Sequence, residues 1–381
     1  MKMARTGGRT MRPAWSGILL VALLLSAVCA PPAGPAPGTP PVGAAETPRV
    51  SSSPATQPKT SPPAPPAASP TASRPLLAPS AITLQEFAVT RGSGPHDVTP
   101  AADGGVWYTG QRNGTLGHLD PSTGRVREVR LGAGSAPHGV IVDGDGVAWV
   151  TDSGQNAIVS VDPRAGDKVT VFRLPQGTPN VNLNTAAIDK DGTLWWTGQA
   201  GWFGRFQTRG GGDAPAMAAF QAPRGPGPYG ITATPGGDVY YASLAGSHIA
   251  RVEKMTGGAS VIEPPTRGQG ARRAWSDSKG NVWVSEYNAG QVARFDPVAN
   301  AWKEWKLPGS ALPYSVYVDE SDIVWLTDFR SSAIVRFDPA SERFDVYPHA
   351  PGGNVRQQDG RPGEVWGALS AHDKLLLVRT R

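Results

Sequence analysis

Residues 139–174 decide the fold. They read Gly139-Val-Ile-Val-Asp143, Gly144-Asp-Gly146, Val147-Ala-Trp-Val-Thr151, Ser153-Gly-Gln-Asn156, Ala157-Ile-Val-Ser-Val161, Asp162-Pro163 and Lys168-Val-Thr-Val-Phe-Arg-Leu174. Four short runs rich in β-branched residues are separated by Gly, Asn, Asp and Pro clusters, which are strand and hairpin signals. A single four-strand unit cannot cover both of its faces, so it needs copies of itself to stack against.

The copies are in the chain. Trp107, Trp149, Trp195, Tyr240, Trp283, Trp325 and Leu377 recur in the same setting, at spacings of 42, 46, 45, 43, 42 and 52 residues. Asp120, Asp162, Glu253, Asp296 and Asp338 stand thirteen residues after the first, second, fourth, fifth and sixth of them. Four of these five precede a proline, an Asp-Pro turn opener. The third unit carries an insertion, Gly210-Gly-Gly-Asp-Ala-Pro-Ala216. A period of 40–50 residues with four strands per unit is the signature of an all-β propeller, here seven-bladed. Six or eight blades would require one marker to be a chance match. The last unit ends at Arg381 after about two strands, and Ala81-Ile-Thr-Leu-Gln-Glu-Phe-Ala-Val89 can supply its outer strand and close the ring.

Outward from the repeat the composition changes. The 381 residues carry a net charge of +5, with 47 Gly and 38 Pro. Residues 1–80 hold seven basic side chains against the single acid Glu46, so residues 81–381 keep 29 basic and 30 acidic groups, a net of −1. A near-neutral domain argues against nucleic acid as a partner. Lys2, Arg5, Arg9 and Arg12 precede the apolar run Gly17–Ala30, the pattern of a secretory signal over residues 1–30. Cys29, the only cysteine, is either discarded with the signal or lipidated, although Val28 stands where lipidation sites carry Gly or Ala. Residues 31–80 contain sixteen prolines among Ala, Ser and Thr, the composition of a disordered spacer. The propeller domain is thus expected over residues 81–381.

Eleven residues before each marker stands the expected head of an innermost strand: His96, His138, Asn184, Tyr229, Arg272, Tyr314 and Trp366. One side chain per blade would then ring the central channel. Antiparallel pairing about the first hairpin turn predicts a second ring fourteen residues on, at Gly110, Asp152, Gly198, Ser243, Glu286, Asp328 and Thr380. On that register His138 faces Asp152, Arg272 faces Glu286 and Tyr314 faces Asp328.

The frames Pro137-His-Gly-Val140, Gly144-Asp-Gly146, Trp149-Val-Thr-Asp152 and Asn281-Val-Trp-Val-Ser-Glu-Tyr287 resemble the streptogramin (virginiamycin B) lyase family over essentially residues 85–381. The resemblance implies a seven-bladed propeller that opens cyclic depsipeptides by elimination, with a histidine base and a carboxylate-held Mg²⁺. It places the chemistry on the last blades: a Glu-x-His frame, a Glu fourteen residues later and a His on the preceding blade. Here those positions read Glu364-Val365-Trp366, Thr380 and Tyr314. Glu364 matches and the base is lost. A rotated set remains: His138 as general base, His96 as substrate donor and Asp152 as metal ligand or orienter, with Glu364 kept from the family frame as a second metal ligand. Asn184, Tyr229, Arg272, Tyr314, Trp366, Glu286 and Asp328 then bind substrate. The plainer reading makes all of these solvated rim residues.

Arg272-Arg273 opposite Glu286 is expected as an ion pair ahead of an anion-binding role. Trp275, Trp202 and Tyr287 lie off the marker register and are ligand candidates, whereas His118, His248, His349 and His372 read as surface. Gly210-Gly-Gly has no strand–helix context for a phosphate cradle. Two functions follow: a Mg²⁺-assisted carbon–oxygen lyase, or a non-catalytic binding propeller. A lactonase-like hydrolase is a third, without a clear ligand set. All three expect an exported monomer, periplasmic, secreted or tethered to a bacterial cell. It would meet a membrane only through an N-terminal anchor and take a small or cyclic peptide-like ligand at the channel mouth.

Overall fold

The computed structural model describes residues 82–208 and 217–380. The signal, the spacer, Cys29 and the Gly210 insertion lie outside the described residues. Seven four-stranded antiparallel sheets surround a central channel. Their innermost strands are β2 (Pro95–Pro100), β6 (Pro137–Val142), β10 (Leu183–Ile188), β14 (Pro228–Ala233), β18 (Ala271–Ser276), β22 (Pro313–Val318) and β26 (Val355–Arg361). These strands touch in series, and β26 returns to β2 to close the ring. Among the described residues no helix is long and apolar enough to cross a membrane.

Closure joins the two ends of the repeat. Strand β1 (Thr83–Ala88) pairs antiparallel with β28 (Lys374–Arg379), outside β27 (Glu364–Leu369) and β26. The outer strand comes from the start of the propeller, as the sequence indicates, but the last unit contributes three strands rather than two. That shifts the last marker. Trp366 on β27 occupies the place of Trp325, and Leu377 on β28 is its cross-strand partner. The final spacing is therefore 41, not 52.

The repeated frame has a local cause. Asp143 accepts hydrogen bonds from the Asp145 and Val147 amides, and its other oxygen accepts from Trp149 Nε1 at 2.9 Å. Asp189, Asp277 and Asp319 hold Trp195, Trp283 and Trp325 in the same way at 3.0, 3.0 and 2.8 Å. One carboxylate thus closes the inner hairpin turn and satisfies an indole that would otherwise be buried unpaired. Two residues past the marker, a hydroxyl links neighbouring blades. Thr109 Oγ1 donates to the His138 carbonyl, Thr151 Oγ1 to the Asn184 carbonyl and Ser285 Oγ to the Tyr314 carbonyl.

Each marker packs toward the following blade. Trp107 lies among Val140, Val150 and Val159 of the second blade, and Trp283 among Val316, Leu326 and Phe337 of the sixth. Trp366 lies against Val98, Tyr108 and Leu119 of the first blade, with Phe87 at a ring-centroid distance of 5.5 Å. Seven apolar layers of this kind hold the ring, and emptying one Trp position costs about 3–5 kcal/mol.

Candidate functional site

The heads of the innermost strands do not pair as an unbroken ladder. In the second blade Pro137 opposes Asp152 while Gly139 opposes Thr151, a one-residue bulge, and a slip follows the strand head in every other blade. A bulge adds a residue to one strand only, so the sum rule for pairing fails by one across it. The expected partners are displaced accordingly: Asp152 faces Pro137, Glu286 faces Ala271 and Asp328 faces Pro313. The extra residue also lets two successive side chains of one blade, such as His96 and Asp97 or Arg272 and Arg273, contribute to the channel.

The predicted carboxylates consequently have other tasks. Asp152 accepts from Ser135 Oγ, the Ala136 and Gln155 amides and Gln155 Nε2, clamping its loop. Asp328 does the same with the Leu312 and Arg330 amides and Ser331. Glu286 is fully buried and bonded to Gln291, and burial pushes its carboxyl up to about 8. It makes no ion pair with Arg272 among the described residues. Glu364 opposes Arg361 at the far end of β26, paired with Arg361 and Arg379 and accepting from Trp366 Nε1 at 3.0 Å. Trp366 is core, not rim. His118 and His248, expected at the surface, are buried too.

Mg²⁺ does not fit these residues. It requires near-octahedral oxygen ligands, yet Asp152 and Glu364 are saturated by donors and belong to different blades. The one His/carboxylate cluster among the described residues is His96, Asp97 and His138, whose ligand atoms lie within 4.8 Å of one another. Arg273 already grips its carboxylate through Nη2 at 2.9 Å and Nη1 at 3.3 Å. Two imidazoles and an arginine-held carboxylate are a poor set for a hard cation.

The true ring is His96, His138, Asn184, Tyr229, Arg272, Tyr314 and Arg356. Arg356 follows Val355 as His96 follows Pro95, and it takes the place predicted for Trp366. On the first three blades the ring side chains are mostly engaged with one another and with Asp97 and Thr185. His96 Nδ1 donates to Asp97 at 2.8 Å, and the two imidazoles lie 3.9 Å apart. Thr185 Oγ1 donates to Asn184 Oδ1, which orients the amide so that Nδ2 donates to His138 Nε2 at 3.1 Å. That leaves the His138 proton on Nδ1, buried without a partner. Burial, then Arg273, Arg356 and Arg272, holds His96 well below its ordinary value, and burial and His96 do the same to His138. Both are neutral.

The other four blades carry aromatic rings and cations. The Tyr229 and Tyr314 hydroxyls meet at 2.5 Å across the channel. Phe329 stacks on Tyr314 at 4.2 Å, and the Arg272 guanidinium lies 3.6 Å from the Tyr314 ring and 4.9 Å from Tyr287. Arg356 lies 5.8 Å from the Tyr314 ring. Burial alone raises the Tyr314 phenol, but Arg272, Arg273, the Tyr229 hydroxyl and Arg356 together bring it below the ordinary tyrosine value. Tyr287, picked out from the sequence, therefore belongs to the mouth. Trp275 instead lines the channel beneath, and Trp202 packs between the second and third blades.

Beneath the ring lies a cavity of about 180 Å³, lined by the Asp97–Arg273 pair, Gln358 and Asp359 and by Ile141, Ile188 and Ile231. Asp359 accepts from Thr99 Oγ1 at 2.7 Å, and burial pushes its carboxyl up to about 6. Nothing in the repeat marks Arg273, Asp97 or Asp359 in the sequence, because each occurs on one blade only.

No curated protein sequence matches the chain. Among solved structures, a streptogramin B lyase is 22% identical with a TM-score of 0.70, covering 78% of this chain and 97% of that one. The virginiamycin B lyase of Staphylococcus aureus is 18% identical with a TM-score of 0.70, covering 78% and 99%. YCF48 bound to a D1 peptide is 15% identical with a TM-score of 0.62, covering 78% and 97%. These likenesses share the fold. Residues 79–337 match the profile of the virginiamycin B lyase family, more than half of the chain, so the protein belongs to that family.

Proposed function

We propose that this protein is a ligand-binding propeller that lacks the elimination chemistry associated with its family. The observation that carries the reading is the occupant of the ring on the last blade. By strand pairing, in which Val355 opposes Leu369 as Pro95 opposes Gly110, the family's Glu-x-His frame falls on Asn354-Val355-Arg356, and Leu369 stands at the paired position where a carboxylate would be needed. The histidine of the preceding blade is Tyr314. None of the positions that the resemblance assigns to chemistry retains its residue type, and arginine does not abstract a proton at neutral pH.

Nor do the histidines on the other side substitute. A general base works best with a pKa near the operating pH and a free lone pair facing the substrate. His138 has its Nε2 lone pair engaged by Asn184, and three arginines oppose protonation of His96. Fold does not carry function by itself; the ring retains shape and donors for recognition without a base. The basic start and the apolar run Gly17–Ala30 favour an exported protein that meets its ligand outside the cytoplasm.

The test is incubation of the full chain with a cyclic depsipeptide and Mg²⁺, followed by mass spectrometry and chromatography. The reading expects no ring-opened isomer of unchanged mass. Such an isomer, formed by this chain and abolished by His138→Ala, would restore the lyase reading.

A further inference from the structure

Arg272 and Arg356 stand at the mouth without an acidic partner. Arg272 Nη2 donates to the Tyr229 hydroxyl at 3.2 Å and Arg356 Nη1 to the Tyr314 hydroxyl at 3.4 Å. No carboxylate among the described residues pairs with either. The nearest arginine differs: Arg273 is 3% exposed and held on both nitrogens by Asp97, so its charge is neutralised inside the channel. Glu286 and Asp328, the acids expected at this rim, have turned to Gln291 and to loop amides. With both histidines neutral, the mouth retains two positive charges.

A guanidinium has five N–H donors. Each of these two uses one on a phenol, and Arg272 Nε is buried without any partner. Both are positioned over one aromatic floor, the Tyr314 ring, with Tyr287 and Phe329 half-buried beside them. Stacking on these rings fixes the guanidinium planes and so lowers the ordering cost of engaging a ligand. Cations fixed on aromatic faces, with donors still open, match a planar oxyanion attached to a flat apolar body.

We infer that the channel mouth binds a carboxylate-bearing ligand, with Arg272 and Arg356 as the anion clamp and Tyr287 and Phe329 as the walls for its apolar part. This rests on the binding reading above and names the ligand class for it. A hydrogen bond to a charged group is stronger than a neutral one, so removing either guanidinium should weaken binding about tenfold or more.

Benzoate and its neutral isostere benzamide test this on the full chain by calorimetric titration at low and high salt. Benzoate should bind about tenfold or more tighter than benzamide, less so at high salt. The preference should vanish in Arg272→Ala with Arg356→Ala and survive in part in Arg272→Lys, which guards against loss through misfolding. Equal behaviour of benzoate and benzamide toward the parent, or a preference that survives the double alanine variant, overturns the inference. An elimination product with the benzoate preference intact would instead sink only the functional reading.

Discussion

The two halves of the channel ring are built from the same strand heads and behave oppositely. On the first three blades, His96 bonds to Asp97 and packs on the His138 ring, while Asn184 bonds to His138 and Thr185, leaving little for a ligand. On the last four, Tyr229, Arg272, Tyr314 and Arg356 form stacks whose guanidinium donors are mostly unpaired. The channel ring of this chain therefore has one sealed half and one receptive half. The difference arises from which residue occupies each bulge, since every blade carries a register slip at the same strand head.

The seal can be broken at Asp97. It is 2% exposed and joins His96 to Arg273 across the channel. Asp97→Ala leaves a buried guanidinium uncompensated and should cost about 3–5 kcal/mol in denaturant unfolding. Asp97→Ala with Arg273→Met should recover most of that loss. If the single variant proved as stable as the parent, the sealed half would not depend on this pair.

On the receptive half the smaller effect is Tyr314→Phe. It removes the hydroxyl contact to Tyr229 while keeping the ring under Arg272, for a loss of about 1 kcal/mol. Tyr229, Arg272, Arg273 and Arg356 face that hydroxyl, and with Tyr314 held below the ordinary tyrosine value its phenolate absorbance should appear earlier in an alkaline titration than that of the other tyrosines. Tyr108, pushed by burial up to about 12, should titrate late. As the Tyr314 phenolate forms it competes for the same arginines, so benzoate affinity should fall with rising pH in the parent and stay level longer in Tyr314→Phe.

The same contrast explains what could be read from the chain. Blade number was legible because Asp143 and Trp149, with their counterparts, perform one physical task at a fixed spacing of six residues. The last blade misled because its inner hairpin is one residue shorter than the others, Asp359 opposing Trp366 where Thr99 opposes Trp107, and because Trp366 bonds to Glu364, two residues away. The Asp359-Gly-Arg-Pro-Gly-Glu-Val-Trp366 turn followed by tryptophan marks Trp366, but counting eleven residues back from it gives Val355; only the shortened hairpin puts Arg356 in the ring. The bulges left no comparable trace. They displaced every expected carboxylate partner by one position and removed Asp152, Glu286 and Asp328 from the channel. Arg273 was legible as a charge but not as the partner of Asp97, which is 176 residues away in the chain and comes close only when the ring is closed.

The most direct test of the account is the protonation of the two channel histidines, read by nitrogen-edited NMR of the imidazoles across pH. The account predicts that His96 and His138 both stay neutral well below the ordinary histidine value of 6.5, with the His138 proton on Nδ1. The sign for stability follows: below 6.5 the unfolded chain takes up protons that the folded chain refuses, so stability falls as pH falls. A histidine at either position that titrates near 6.5, or a His138 proton found on Nε2, would contradict the sealed half and return a usable base to the channel mouth.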